Sequence, residues 1–166
     1  CFQYNITTMV IHLPDDEHPV NDLGIKRLEN VISEAEKKNI QVAFENLNNI
    51  LNLALVLEAF QSKNVGYCYD SCHHLNYAPD DDLLKLYGNR LMALHLQDNG
   101  GKHNQHQLPF DGNIDWVNVM KKIALTGYQG ATSLEPMNWD YEHLSIQQFL
   151  DLAYQKAKKA DEMRTI

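Results

Sequence analysis

Short apolar runs alternate with segments of helical period along the chain. Five runs have strand character, namely TTMVIHL (7–13), IQVAFEN (40–46), VGYCYD (65–70), RLMALHL (90–96) and GATSLE (130–135). Each of them precedes a predicted helix, and these helices cover residues 22–39, 49–64, 79–88, 114–127 and 145–164. Because strands and helices alternate five times, the pattern predicts a parallel α/β sheet in one domain, residues 1–166.

Several predicted helices carry the residues expected on a buried face or at a helix end. The apolar stripe of the first helix consists of Ile25, Leu28, Val31, Ile32 and Ala35. Pro79 stands at the first turn of the third helix, and Gly127 closes the fourth. Ser145 and Gln148 have the spacing of a capping box at the start of the last helix.

Composition and charge restrict the classes of function. The chain has 166 residues, of which 44% are hydrophobic, and a formal net charge of −8. This charge argues against nucleic acid as a partner, because binding a phosphate backbone requires clustered Lys and Arg. No apolar run reaches the ~18 residues of a membrane span, and no signal peptide is visible. Three cysteines without framework spacing fit a reducing compartment, so we expect a cytoplasmic protein.

Each predicted strand ends in a residue that can bind a metal ion. These residues are His12, Glu45, Asp70, His95 and Glu135, and the intervals 45 to 70 and 70 to 95 are both 25 residues. The carboxyl ends of parallel strands lie at one edge of the sheet, so the five side chains should converge there. Carboxylates combined with imidazoles suit Mn²⁺, Zn²⁺, Co²⁺ or Mg²⁺.

The segments around these residues resemble a known superfamily. They are VAFENL, GYCYDSCHH, LHLQDN, HNQHQLPFDGNIDW and GYQGATSLE. Together they resemble the sugar phosphate isomerase/epimerase and AP endonuclease family 2 proteins, the xylose isomerase-like TIM barrels. The resemblance covers the whole chain and implies a partial barrel. Its register aligns the chain with the last five of eight βα units, open rather than closed.

The resemblance also implies roles for the residues at the strand ends. Glu45, Asp70, His95 and Glu135 would hold one divalent metal ion. In the epimerase branch, Glu45 and Glu135 would also be catalytic, because the matching carboxylates face the sugar from opposite sides and transfer a proton.

Further histidines match substrate-binding or second-site metal positions of the family, namely His12, His73 and His106. The loop after His95 keeps His106, but Asn104 stands where relatives have Asp and Phe110 where they have Gly. A third metal bound by His73, Asn104 and His106 is therefore disfavoured, because asparagine is a poor zinc ligand.

Structural roles are the favoured interpretation of several other conspicuous side chains. Asn46 is expected to hold the neighbouring strand end by hydrogen bonds. Cys68 is expected in the core, although a thiolate site with Cys72 is conceivable. Trp116 and Trp139 are expected to anchor helices to the sheet, although Trp139 could face a ligand.

Three hypotheses about function remain open. The first is a metal-dependent isomerase or epimerase acting on a small sugar or sugar phosphate. The second is a zinc phosphodiesterase of the AP endonuclease type, which the charge of −8 and Asn104 disfavour. The third is a truncated, non-catalytic relative that keeps the fold.

An open barrel also has consequences for assembly. Five strands cannot close a small barrel, which needs about eight, so 7–13 and 130–135 would be open edges. We also expect the sheet face carrying Val10, Val42, Phe44, Tyr67 and Leu94, or their alternating neighbours, to lose its cover. A homodimer that pairs the open sides is the expected remedy.

Overall fold

The computed structural model describes residues 1–15, 17–102 and 105–164. Its central feature is a parallel sheet in the order β1-β2-β3-β4, whose strands are Thr8–Ile11, Gln41–Glu45, Val65–Asp70 and Leu91–His95. The sheet is open, and helices follow its strands, which confirms an α/β half-barrel. Each of the four strands lies inside a run predicted from hydrophobicity.

The described residues contain six α-helices. They are α1 (Asp22–Lys37), α2 (Ile50–Ala59), α3 (Ser71–Tyr77), α4 (Leu83–Tyr87), α5 (Trp116–Leu125) and α6 (Ile146–Glu162). Short 3₁₀ segments cover Phe2–Tyr4, Gly88–Arg90 and Trp139–Tyr141. The capping box of Ser145 and Gln148 is present at the start of α6, as predicted. None of the described helices is long and apolar enough to span a bilayer.

The prediction of a fifth strand at 130–135 is wrong. Leu134 makes a single parallel bridge with Leu96, through hydrogen bonds from Leu96 N to Ser133 O and from Glu135 N to Leu96 O. The segment is exposed or half-buried and pairs on one side. Because burial and pairing on both sides normally stabilise a parallel strand, this segment forms no longer ladder.

The region after β3 also differs from the prediction. A separate helix, α3, begins directly after β3, and Asp70 is its N-cap, accepting a hydrogen bond from His73 N. The helix predicted at 79–88 reduces to α4, which Asp82 caps, so Pro79 lies before the helix. Asp70 was interpreted only as a ligand, although Asp is also a preferred N-cap residue.

The core lies between the sheet and its helices. Val42, Phe44, Tyr67 and Leu94 are buried there, so the expectation that they would lose their cover is wrong for these four. Successive side chains of a strand point to opposite faces, so the face of the sheet opposite these four residues carries Glu45 together with small residues. A Cβ on Gly66, one of these residues, would lie 2.6 Å from Met92 Sδ and still closer to Arg90 O.

Both cysteines near the end of β3 are buried. Cys68 and Cys72 are 0% exposed, which confirms the core interpretation of Cys68, and Cys1 is exposed. Burial raises the pKa of each buried thiol to about 11. Trp116 is also buried in the core, as predicted.

β1 has one strand neighbour, β2, within the described part of the chain. An apolar groove of about 650 Å³ runs beside it, and its lining includes Phe2, Met9, Val31 and Ile40. Val31 was expected on the buried stripe of α1, but it is 40% exposed and faces this groove. The β1 side is therefore an open, apolar edge.

Candidate metal centre

Glu45, the last residue of β2, lies among three imidazoles. Its Oε2 atom is 2.9 Å from His12 Nε2 and 2.8 Å from His95 Nδ1, and its Oε1 atom is 3.0 Å from His73 Nδ1. The parallel strands bring these residues together, because β1, β2, β3 and β4 all end at this edge. The Glu45 side chain is 0% exposed, whereas His12 is 59% exposed at the rim.

Two groups of candidate ligands share Glu45. The first comprises His12, Glu45, His95 and Glu135, and the second comprises Glu45, Asp70 and His73. Within each group, one ligand atom from each residue lies within 4.8 Å of all the others. Glu135 reaches the first group through Oε1, which is 3.3 Å from His95 Nδ1. Three of the four predicted ligands, Glu45, His95 and Glu135, therefore fall in one group, whereas Asp70 shares Glu45 with His73 in the other.

Asp70 is held in place from several sides. Its Oδ1 atom accepts a hydrogen bond from His73 N at 2.7 Å, and its Oδ2 atom accepts one from Gln97 Nε2 at 2.6 Å. The side chain of Asn46 donates to Asp70 O and accepts from Asp70 N. This pair of bonds confirms the structural role predicted for Asn46.

The site combines buried carboxylates with imidazoles, and the pKa values reflect this. Burial by itself would raise the pKa of Glu45, but the contacts with His73 and His95 outweigh it and lower the pKa to about 2. At Asp70 burial dominates and raises the pKa to about 7, against the opposing effect of His73. Burial opposes the charged form of His73, yet Glu45 and Asp70 raise its pKa. Burial also opposes the charged form of His95, but its contacts with Cys68, Glu135 and Glu45 raise the pKa.

Buried polar atoms at the centre lack aligned hydrogen bonds. Among the described residues, none is made by Glu45 Oε1, His73 Nδ1 or His95 Nδ1, although their N···O distances are 3.0 Å or less. Buried polar atoms are nearly always paired, so each exception needs an explanation. Ligand atoms that converge without pointing at one another fit a shared cation. Imidazole nitrogens with carboxylate oxygens are a suitable donor set for zinc, manganese or cobalt.

The loop after β4 is organised by one buried carboxylate. Asp98 is 0% exposed, and its two oxygens accept four N–H groups. The donors are the backbone amides of Asn99 (2.8 Å), Phe110 (2.9 Å) and Ile114 (3.1 Å) and the indole of Trp116 (2.7 Å). These four bonds offset the desolvation of the carboxylate. The Phe110 backbone adopts φ 72°, a left-handed conformation that glycine adopts more readily than phenylalanine.

This loop carries His106 back to the metal-binding edge. Asp98 and Gln107 form an antiparallel bridge, and His106 precedes it with φ 49°. The His106 ring lies 6.1 Å from the His73 ring and 5.6 Å from the Trp139 ring. His106 therefore lies beside the ligand groups but belongs to neither. Asn104, the residue expected to weaken a third metal site, lies outside the described residues.

The prediction from sequence missed Gln97. Its side chain is fully buried, and its amide lies between Asp70 and Glu135. Gln97 stands two residues after His95, so strand alternation would have placed both on one face. Trp139, expected as an anchor, is 55% exposed beside His106 and is thus open to a ligand.

Sequence comparison identifies relatives that are longer than this chain. The chain is 32% identical over 167 residues to protein y4fM of Sinorhizobium fredii. This match covers 96% of this chain and 53% of that protein. It is 27% identical to protein MJ1311 of Methanocaldococcus jannaschii over 70% of this chain and 44% of that protein. The chain thus spans about half the length of these curated relatives.

Solved structures show the same fold. An IolI protein with a bound zinc atom superposes with a TM-score of 0.83 at 16% identity, over 99% of this chain and 66% of that one. A D-tagatose 3-epimerase-like protein superposes with a TM-score of 0.74 at 20% identity, over 98% of this chain and 65% of that one. Residues 3–153 match the family described as "Xylose isomerase-like TIM barrel". The chain therefore belongs to the xylose isomerase-like TIM barrel family.

Proposed function

We propose that this chain is a metal-dependent isomerase or epimerase of a small sugar or sugar phosphate. The observation that carries the proposal is the convergence of Glu45, His95 and Glu135 with unaligned buried polar atoms at the sheet edge. Together with Asp70 they are the proposed ligands of one Mn²⁺, Zn²⁺, Co²⁺ or Mg²⁺ ion. Such an ion, when bound, polarises the carbonyl and hydroxyl oxygens of a sugar.

Glu45 and Glu135 are the proposed acid–base pair. One carboxylate removes the proton from a carbon next to the sugar carbonyl, and the other returns a proton to the opposite face. Returning it to the same carbon inverts that carbon. Returning it to the adjacent carbon moves the carbonyl, provided that the hydroxyl proton of the first carbon passes to the former carbonyl oxygen. Neither outcome requires an oxidant or a reductant. Glu135 is 29% exposed, so a sugar that enters from solvent meets this carboxylate before it reaches the buried Glu45.

The rim of the site suits a polar ligand with an apolar face. His12 and His106 flank the centre, and the exposed Trp139 ring lies beside His106. Imidazoles donate or accept hydrogen bonds from sugar hydroxyls, and an indole packs against the C–H face of a sugar ring. His73 is 9% exposed and lies deeper, against Glu45.

Proton exchange with solvent tests this proposal directly. The chain loaded with Mn²⁺ is incubated in D₂O with D-tagatose, D-psicose or D-fructose, the sugars named with its structural neighbours, and deuterium incorporation is followed by NMR. We expect exchange at the carbon next to the carbonyl and its loss in Glu135→Gln. Glu142→Gln, at an exposed position, is the matched control.

Two other results would redirect the assignment. Zinc-dependent cleavage of abasic DNA that weakens steeply with salt would support the phosphodiesterase hypothesis. Metal binding without exchange of any tested sugar and without DNA cleavage would support a non-catalytic relative.

A further inference from the structure

Gln97 occupies a fixed position beneath the metal-binding edge. It follows β4 and is 0% exposed. The Ser71 hydroxyl donates to Gln97 O at 2.7 Å and accepts from Gln97 N at 3.0 Å. These two bonds fasten the Gln97 backbone to the turn between β3 and α3, next to Asp70.

The Gln97 amide contacts one oxygen of each of two carboxylates. Nε2 donates to Asp70 Oδ2 at 2.6 Å and to Glu135 Oε2 at 3.5 Å. The other oxygen of each carboxylate faces a histidine. Asp70 Oδ1 lies 3.6 Å from His73 Nδ1, and Glu135 Oε1 lies 3.3 Å from His95 Nδ1.

We propose that Gln97 determines which divalent metal the site prefers. The inference rests on the proposed metal site and adds a specificity residue to it. With Oδ2 and Oε2 engaged by the amide, Asp70 and Glu135 each offer one oxygen to a cation. Monodentate carboxylates combined with imidazole nitrogens suit ions such as Zn²⁺, Co²⁺ and Mn²⁺, which take no more than six ligands. Ca²⁺ takes six to eight oxygens, often from bidentate carboxylates, and is disfavoured.

The oxygen of the Gln97 amide makes no hydrogen bond to the described residues, which points to the N–H groups as the functional part of this side chain. Gln97 Oε1 is buried and has no hydrogen-bond partner among the described residues. A buried acceptor without a partner is destabilising, so the amide oxygen gives no reason for a glutamine at this position. The donation from Nε2 is what glutamine provides at this position and methionine would not.

The ratio of two metal affinities tests the proposal. Mn²⁺ and Ca²⁺ binding are measured by calorimetry on the wild-type chain, Gln97→Met and the exposed control Gln129→Met. We expect the affinity for Ca²⁺ relative to Mn²⁺ to rise about tenfold or more in Gln97→Met, the size of effect seen when a partner of a metal ligand is removed. The control should keep the wild-type ratio. A purely structural loss would lower both affinities together and leave the ratio unchanged.

The outcomes separate this inference from the proposed function. If wild type binds Mn²⁺ and a folded Gln97→Met keeps the ratio within about twofold, the role of Gln97 is overturned and the metal site stands. If wild type binds neither metal, the proposed function fails. Should Gln97→Met not fold, Gln97→Asn decides, because its amide is one methylene too short to reach both carboxylates. An unchanged ratio in that variant also overturns the inference.

Discussion

Replacing Asp98 by asparagine should destabilise the fold, and the structure gives the size of the effect. Asp98 accepts two N–H groups on each of its oxygens. Asparagine keeps one oxygen and presents an NH₂ group to the two remaining donors. Hydrogen bonds to charged groups contribute about 1.5 kcal/mol or more each, so losing two lowers the free energy of unfolding by about 3 kcal/mol. For a chain of this size, this corresponds to a decrease in Tm of roughly 6–12 °C.

Urea denaturation followed by circular dichroism measures this change. Asp80→Asn is the matched control, because Asp80 is exposed and a surface substitution should change the free energy by less than about 0.5 kcal/mol. A loss below about 1 kcal/mol in Asp98→Asn would refute the reasoning, since it would show that the four N–H groups find other acceptors.

Three further predictions follow from the packing, the site electrostatics and the open edge. Gly66→Ala should cost about 1–3 kcal/mol in urea denaturation, because its Cβ would clash with the backbone oxygen of Arg90 and lie 2.6 Å from Met92 Sδ. Gly24→Ala, with 3.6 Å of room inside α1, should be neutral or slightly stabilising. Metal affinity measured by calorimetry should fall as the pH falls from 8 to 6. Burial raises the pKa of Asp70 to about 7, and this ligand must lose its proton to bind a metal ion. A metal affinity that stays constant over this pH range would contradict the prediction. Light scattering at micromolar concentration should give about twice the 19.1 kDa chain mass, because the β1 edge and its groove are open and apolar; a monomer that binds no apolar dye would contradict a dimer.

The strands and the residues at their ends could be predicted because alternation and apolar runs are local signals. Four of five predicted strands are present, since each lies in a sheet that packs against helices. The segment 130–135 has one large apolar residue, Leu134, and pairs on one side, and pairing depends on neighbours that the local sequence does not reveal. The helix α3 was missed because Asp70 serves both as a strand end and as a cap.

The candidate site was predictable as a set of residues but not as an arrangement. Parallel strand ends had to meet, so Glu45, His95 and Glu135 were expected together. The close pairing of Asp70 with His73 results from the first turn of α3, which was not predicted. Gln97 could not be predicted as part of the site, because glutamine is not itself a preferred metal ligand and its contacts join three different segments.

The labelling rate of the two buried thiols near the end of β3 can report local unfolding of this region. Thiolates, not thiols, react with disulfide reagents, and Cys68 and Cys72 are both buried with pKa values raised to about 11. In the folded state, the exposed Cys1 should therefore react first. The slower reaction of the other two measures how often β3 and α3 separate from the sheet. Because Asp70 lies between these thiols, a metal ion bound there should slow their labelling without touching either sulfur.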